Sequence, residues 1–161
     1  MPNDAPMIDL HRILVPTDFS KHSQNALTYA AAFAEKFGAE LYLLHVVQDL
    51  ALFIPDAVTV APPVTPPVDQ LTAAVRGALD KVIAEYQLRR LTVHAEVREG
   101  TPFYEIIRFA RDQNIDLIVM GTHGHTGLAH VLMGSVTEKV VRKAPCPVLT
   151  VRHPEHEFVH P

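Results

Sequence analysis

Leu41-Tyr42-Leu43-Leu44-His45-Val46-Val47 is an almost unbroken apolar run. Runs of this kind are typical of a strand in a parallel sheet, covered on both faces. Upstream, Arg12-Ile13-Leu14-Val15-Pro16 is a shorter apolar run that ends at a proline and opens into a polar loop, Thr17-Asp18-Phe19-Ser20. Between the two runs Ala26, Leu27, Ala30, Ala31 and Ala34 recur at helical spacing, and Gly38 stops the helix. Downstream, Leu71, Val75, Ala78, Leu79, Val82, Ile83 and Tyr86 mark a second amphipathic helix. Leu91, Val93, Ala95 and Val97 alternate with polar residues, so this strand has one wet face or an edge position. Thr101-Pro102 opens a third helix as N-cap and first-turn proline, with Phe103, Ile106, Ile107 and Ala110 on its inner stripe. Asp116–Met120 reads as a buried strand, residues 135–143 as a helix and Pro147–Val151 as the last strand. Strands alternating with helices predict an α/β domain with a parallel sheet and helices on both faces. Right-handed crossovers restrict it to a doubly wound sheet.

The chain has 161 residues, enough for one domain with a substantial core. A formal net charge of -4 and the lack of a long basic run argue against non-specific nucleic-acid binding. Cys146, between two prolines, is the single cysteine, so no intrachain disulfide forms; a buried, inert thiol in a reducing compartment is the expectation. No signal peptide is visible and no apolar run reaches the ~20 residues of a membrane span, so a cytoplasmic location without membrane contact is expected. Residues 1–11 read as a leader and 153–161 as a frayed tail. Residues 55–68 carry five prolines, which forbid a regular helix or central strand, and read as a loop or mobile flap without evident chemistry.

The chemistry concentrates in residues 121–135. Gly121-Thr122-His123-Gly124 follows a buried strand directly, and Gly134-Ser135 comes at the start of a helix. Glycines let a backbone approach an anion closely. A helix N-terminus offers unpaired N–H groups and the positive end of the dipole. Phosphate oxygens are the natural occupants. Ser135-Val136-Thr137-Glu138 also has the form of a capping box, so Ser135 serves as a helix cap, a phosphate ligand or both. Lys139, Arg142 and Lys143 suit the far end of the helix and are poorly placed to help an anion. There is no G-x-x-x-x-G-K-[ST] and no G-x-G-x-x-G, so neither a P-loop nor the standard dinucleotide fingerprint is present. The loop Pro16-Thr17-Asp18 is the second contributor, because ligands of open α/β sheets sit beyond the strand carboxyl ends where the winding reverses. Asp18 there accepts from a base amino group or ribose hydroxyl, or makes an Asx turn or helix cap.

ILVPTDFS, AELYLLHVV and above all GTHGHTGLAHVLMGSVTEKVVRKAPCPVLTVR strongly resemble the universal stress protein family, over residues 12–152. The resemblance implies an adenine nucleotide α-hydrolase-like fold with strand order 3-2-1-4-5. It also implies the ATP-binding form of the family, with ADP or AMP as competitors. On that basis Gly121, Gly124, Gly134 and Ser135, with Thr122 and His123 inside the motif, contact ribose and phosphates, and Val136 and Thr137 continue the anion site. Pro16, Thr17 and Asp18 line the adenine and ribose side, and Val46 offers backbone hydrogen bonds to adenine. Mg²⁺ is then held mainly by the phosphates, with no protein metal ligand. The position four before Gly134, often basic in the family, is His130, which weakens the case for tight triphosphate binding.

Ten histidines raise a metal hypothesis, but no H-E-x-x-H or Cys/His finger spacing is present; His123, His125 and His130 fall in one loop and His153, His156 and His160 in the tail. His45 reads as a hydrogen-bonded core histidine. Residues 148–152 form the other sheet edge in the family order, which implies a homodimer paired through this strand. Three functions compete: a nucleotide-binding regulator or sensor in stress adaptation, a slow ATPase or phosphotransferase using Asp18 or His123 to position water, and a nucleotide-independent dimeric scaffold. The glycine segment favours the first.

Overall fold

The structure is a computed structural model that describes residues 7–48, 68–86, 88–124 and 133–152. The elements in chain order are β1 (Arg12–Pro16), α1 (Lys21–Phe37), β2 (Glu40–Val47), α2 (Val68–Glu85), β3 (Val93–Glu99), α3 (Pro102–Asp112), β4 (Leu117–Gly121), α4 (Ser135–Lys143) and β5 (Val148–Val151). All strand pairs are parallel, in the order β3-β2-β1-β4-β5. The doubly wound sheet expected from the sequence is therefore the sheet observed.

The continuous apolar strands divide their side chains between two cores. Ile13, Val15, Leu41, Leu43 and Val119 face α1 and α2, where they meet Ala26, Leu27, Ala30, Leu79 and Val82. Leu14, Tyr42, Leu44, Ile118 and Met120 face α3 and α4, where they meet Ile106, Phe109, Ala110 and Val140. Period-2 alternation between two covered faces is why these strands show no polar alternation of their own. β3 is an edge strand: Val93, Ala95 and Val97 pack on the first core, while His94 on the other face stacks on Tyr42 at 4.5 Å and bonds Glu40 at 3.0 Å. The Tyr42 hydroxyl and His94 both hold Glu40, which lowers its carboxyl pKa, while burial and then Glu40 raise that of Tyr42.

Several boundaries differ from the sequence reading. β3 opens at Val93 rather than Leu91, because Leu88–Arg90 form a 3₁₀ turn whose Leu88 carbonyl accepts from the Leu91 amide at 2.9 Å. Val68, read as the end of the proline-rich segment, opens α2; residues 55–67 and the tail 153–161 lie outside the described residues. Leu10, read as leader, is buried in the first core. Thr101 is the N-cap of α3 by position, but its hydroxyl makes no capping bond. Gly38 ends α1 as expected, with a left-handed φ of 67°. Cys146 is half-buried, and burial, followed by the nearby Asp116 carboxylate, pushes its thiol to about 11. That agrees with an unreactive thiol. Among the described residues no helix is long and apolar enough to cross a membrane.

Candidate functional site

The winding reverses between β1 and β4, which pair through Ile13↔Leu117 and Leu14↔Ile118. A crevice opens beyond the carboxyl ends of strands at such a switch point. Two turns build it here.

The first turn joins β1 to α1. The Thr17 amide donates to the Leu44 carbonyl at 2.8 Å and so carries the sheet one residue past Pro16. The Thr17 hydroxyl accepts from the Phe19 amide at 3.1 Å and lies 3.1 Å from the Ser23 hydroxyl. The Ser20 amide donates to Asp18 Oδ1 at 3.0 Å, which is the Asx turn. Ser20 then caps α1, accepting from the Ser23 amide at 3.3 Å. Phe19 takes a left-handed φ of 63°, a conformation that costs a bulky residue about 1–3 kcal/mol. The surrounding bonds hold it there, together with the packing of its ring on His45 at 4.8 Å.

The second turn follows β4. The Thr122 amide donates to the Val151 carbonyl at 3.1 Å, and the Thr122 carbonyl accepts from Gly134 at 2.7 Å. This clasp brings the start of α4 back to the end of β4 across residues 125–132, which lie outside the described residues together with His125 and His130. The Thr137 hydroxyl donates to the Gly121 carbonyl at 2.9 Å and fastens the first turn of α4 from below. The N-cap of α4 is Gly134, not Ser135, so the capping box does not form. The reason is the clasp: Gly134 in extended backbone bonds Thr122, and Ser135 becomes the first helical residue. Glu138 instead pairs with Arg142 at 2.9 Å. A glycine cap carries no side-chain oxygen, and the amides of Ser135, Val136 and Thr137 open the helix toward the crevice.

Between the turns lies a cleft of about 420 Å³, within the usual range of ligand pockets. Pro16 lines it from the end of β1, Thr17 and Asp18 from the first turn, and Val46 from β2. Gly121, His123 and Gly124 line it from the second turn, and Gly134, Ser135, Val136 and Thr137 from the start of α4. Thr122 does not: it is buried, its hydroxyl 3.1 Å from His123 Nδ1, and it acts on the site through the clasp. The sequence reading missed Ser23, Leu44, Gln48, Pro102, Ile106 and Met120, which also line the cleft, as does His45, half-buried rather than a core histidine. Leu44 and Met120 carry a usable signal: Met120 is an inward residue next to the carboxyl end of β4, and Leu44 lies level with Pro16, the last residue of β1. No Lys or Arg lines the cleft among the described residues. Lys139 and Lys143 lie over the Phe103 ring, at 4.8 and 5.9 Å. Positive potential therefore comes from backbone amides and the helix dipole. Among the described residues no three His, Cys, Asp or Glu side chains gather into a metal-binding group.

A doubly wound parallel sheet with an apolar cleft at its switch point, closed by a glycine-capped helix, defines the adenine nucleotide α-hydrolase-like class. The universal stress protein family matches residues 10–152, and the chain belongs to that family. Universal stress protein MJ0531 of Methanocaldococcus jannaschii is 38% identical over 150 residues, covering 91% of this chain and 84% of that protein. The structure of MJ0577, from the same organism, superimposes with a TM-score of 0.75 at 30% identity and covers 92% of this chain and all of that one. UspA from Lactobacillus plantarum superimposes at 0.73, also at 30% identity, with 91% of this chain and 100% of that chain covered. Two structures at 20% identity share the fold: a universal stress protein in complex with cAMP (TM-score 0.63) and the Archaeoglobus fulgidus protein in complex with dAMP (0.62), each over 89% of this chain and 98% of that one.

Proposed function

We propose that the cleft binds an adenine nucleotide, ATP with Mg²⁺, and that the protein is a cytoplasmic regulator or sensor in stress adaptation. The observation that carries this reading is that the glycine-capped N-terminus of α4 and Asp18 line one cleft together with the apolar side chains of Leu44, Val46, Ile106 and Met120. The amides of Ser135, Val136 and Thr137 receive the phosphates. Leu44, Ile106 and Met120 form an apolar seat for the base, and the Val46 backbone supplies its polar contacts. Asp18 accepts from a ribose hydroxyl. Bound Mg²⁺ supplies the countercharge that the cleft lining lacks and is held by phosphate oxygens. Two proteins of the same fold are in complex with cAMP and with dAMP, which supports an adenylate as the ligand class.

Mass spectrometry of the supernatant after denaturing the purified protein tests the reading directly, with adenine nucleotide as the expected release. Adding ATP and Mg²⁺ at a hundred times Kd stabilises the fold by about 2.7 kcal/mol if binding is to the native state alone. No released nucleotide and no melting shift with ATP, ADP or AMP leaves the scaffold reading. A second reading, slow ATP hydrolysis, draws on one observation, the buried His123 imidazole in the cleft wall. Phosphate release measured alongside the melting shift separates the two.

The reading includes a homodimer paired through residues 148–152. β5 is the sheet edge beyond β4, and Val148, Leu149 and Thr150 are only half-buried. Edge strands of this character are normally paired or covered. Sedimentation equilibrium is expected to give the mass of two chains; a monomer at high micromolar concentration removes this element.

A further inference from the structure

His45 sits one residue before the expected adenine contact Val46, on the opposite face of β2. Leu44 and Val46 turn toward the second core, while the His45 ring packs on Phe19 at the border of the first, and His45 also lines the cleft. Its Nδ1 lies 2.8 Å from the Thr17 carbonyl. A carbonyl oxygen only accepts, so Nδ1 must carry the hydrogen, whatever the state of Nε2. The ring also packs on Phe19, the left-handed residue of the same turn. One side chain thus grips both the residue before Asp18 and the residue after it. Asp18 is also tied by Oδ1 to Ser20, and its Oδ2 reaches Gly124 in the second turn. Position and direction of the Asp18 carboxylate therefore depend on a turn that His45 clamps through the Thr17 carbonyl and the Phe19 ring.

We propose that His45 is a positioning residue of the nucleotide cleft: its Nδ1–H holds the Thr17 carbonyl and so fixes Asp18 for the ligand. The inference rests on the nucleotide reading above. It differs from a packing role, because a packing role needs the ring, whereas the clamp needs a donor at one atom.

Two substitutions separate these. His45→Asn places an amide Nδ2 where Nδ1 stood and discards the ring. His45→Phe keeps a ring on Phe19 and discards the donor. With Mg·ATP as the probe, calorimetry of the full chain is expected to show His45→Phe binding about tenfold more weakly and His45→Asn within about threefold of the wild type. His45→Ala follows the Phe variant. Equal loss in the Asn and Phe variants, or wild-type affinity in all three, overturns the proposal. An independent readout needs no ligand. Long-range ¹H–¹⁵N spectra are expected to show the neutral form of His45 protonated on Nδ1; an Nε2–H tautomer overturns the clamp. If the wild type binds no nucleotide while the Nδ1–H form is seen, the nucleotide reading fails and the clamp stands, without its role in binding.

Discussion

Asp18 Oδ2 lies 2.5 Å from the point a Cβ on Gly124 would occupy. The two turns of the cleft therefore meet at a contact only glycine permits, between a carboxylate on one and bare backbone on the other. An alanine at 124 does not strike backbone. It strikes the end of a side chain, which can swing away. The expected result of Gly124→Ala is a displaced Asp18 carboxylate with the fold retained: ATP affinity falls at least about tenfold, or about 1.4 kcal/mol, while the melting temperature moves by only a few degrees. Calorimetry and thermal melting on the same preparation check this. A large loss of stability with unchanged affinity would contradict it.

Gly121 has the opposite character. A Cβ there would lie 2.9 Å from both the carbonyl carbon and the oxygen of His22, in the first turn of α1. Backbone in a capped helix does not yield as a carboxylate does. Gly121→Ala is expected to destabilise the fold by about 1–3 kcal/mol through overpacking, lowering Tm by about 2–4 °C for each of those kcal/mol. Urea unfolding measures this. An unchanged midpoint would show that α1 is free to shift.

Those two glycines show how far the sequence could be read. Strand and helix order, the double covering of β2 and β4, the edge position of β3 and the stop at Gly38 all follow from periodicity and local backbone preference. Apart from Thr122, the residues expected at the site line one cleft, since the switch point gathers β1, β2, β4 and α4. Other features depend on contacts between distant segments. Gly121 and Gly124 read as glycines freed for a phosphate, yet their neighbours are His22 and Asp18, which no spacing rule reveals. Ser135 has the form of a cap, but the bond from Gly134 to Thr122 moves the helix start by one residue. Leu44, Ile106 and Met120 read as ordinary core; that they also line the cleft depends on how far each strand and helix extends toward the crevice.

Thr137 ties α4 to β4 through a buried hydrogen bond to the Gly121 carbonyl at 2.9 Å. In the proposed nucleotide complex its amide, not its hydroxyl, is the group that faces a phosphate. Thr137→Val keeps the shape and the amide and removes the bond. It is expected to cost about 0.5–1.5 kcal/mol of stability, with ATP affinity within about threefold of wild type. A much larger loss of affinity, at unchanged stability, would mean that the hydroxyl itself holds the ligand.

Cys146 supplies a prediction at alkaline pH. Its thiol is raised from an ordinary value of 9.0 to about 11, by burial first and the Asp116 carboxylate second. A raised pKa means the folded chain holds this proton more tightly than the unfolded chain. The associated stability is fully present below pH 9.0 and is lost as pH climbs through about 11. Because the thiolate is the reactive form, the native protein should resist alkylation at neutral pH. Iodoacetamide labelling, followed by intact mass, is expected to be slow at neutral pH and to accelerate toward an inflection near 11. In denaturant the inflection should return to the ordinary range. Rapid labelling of the native protein at neutral pH would show the thiol to be exposed and ionised, and would contradict its place against the second core.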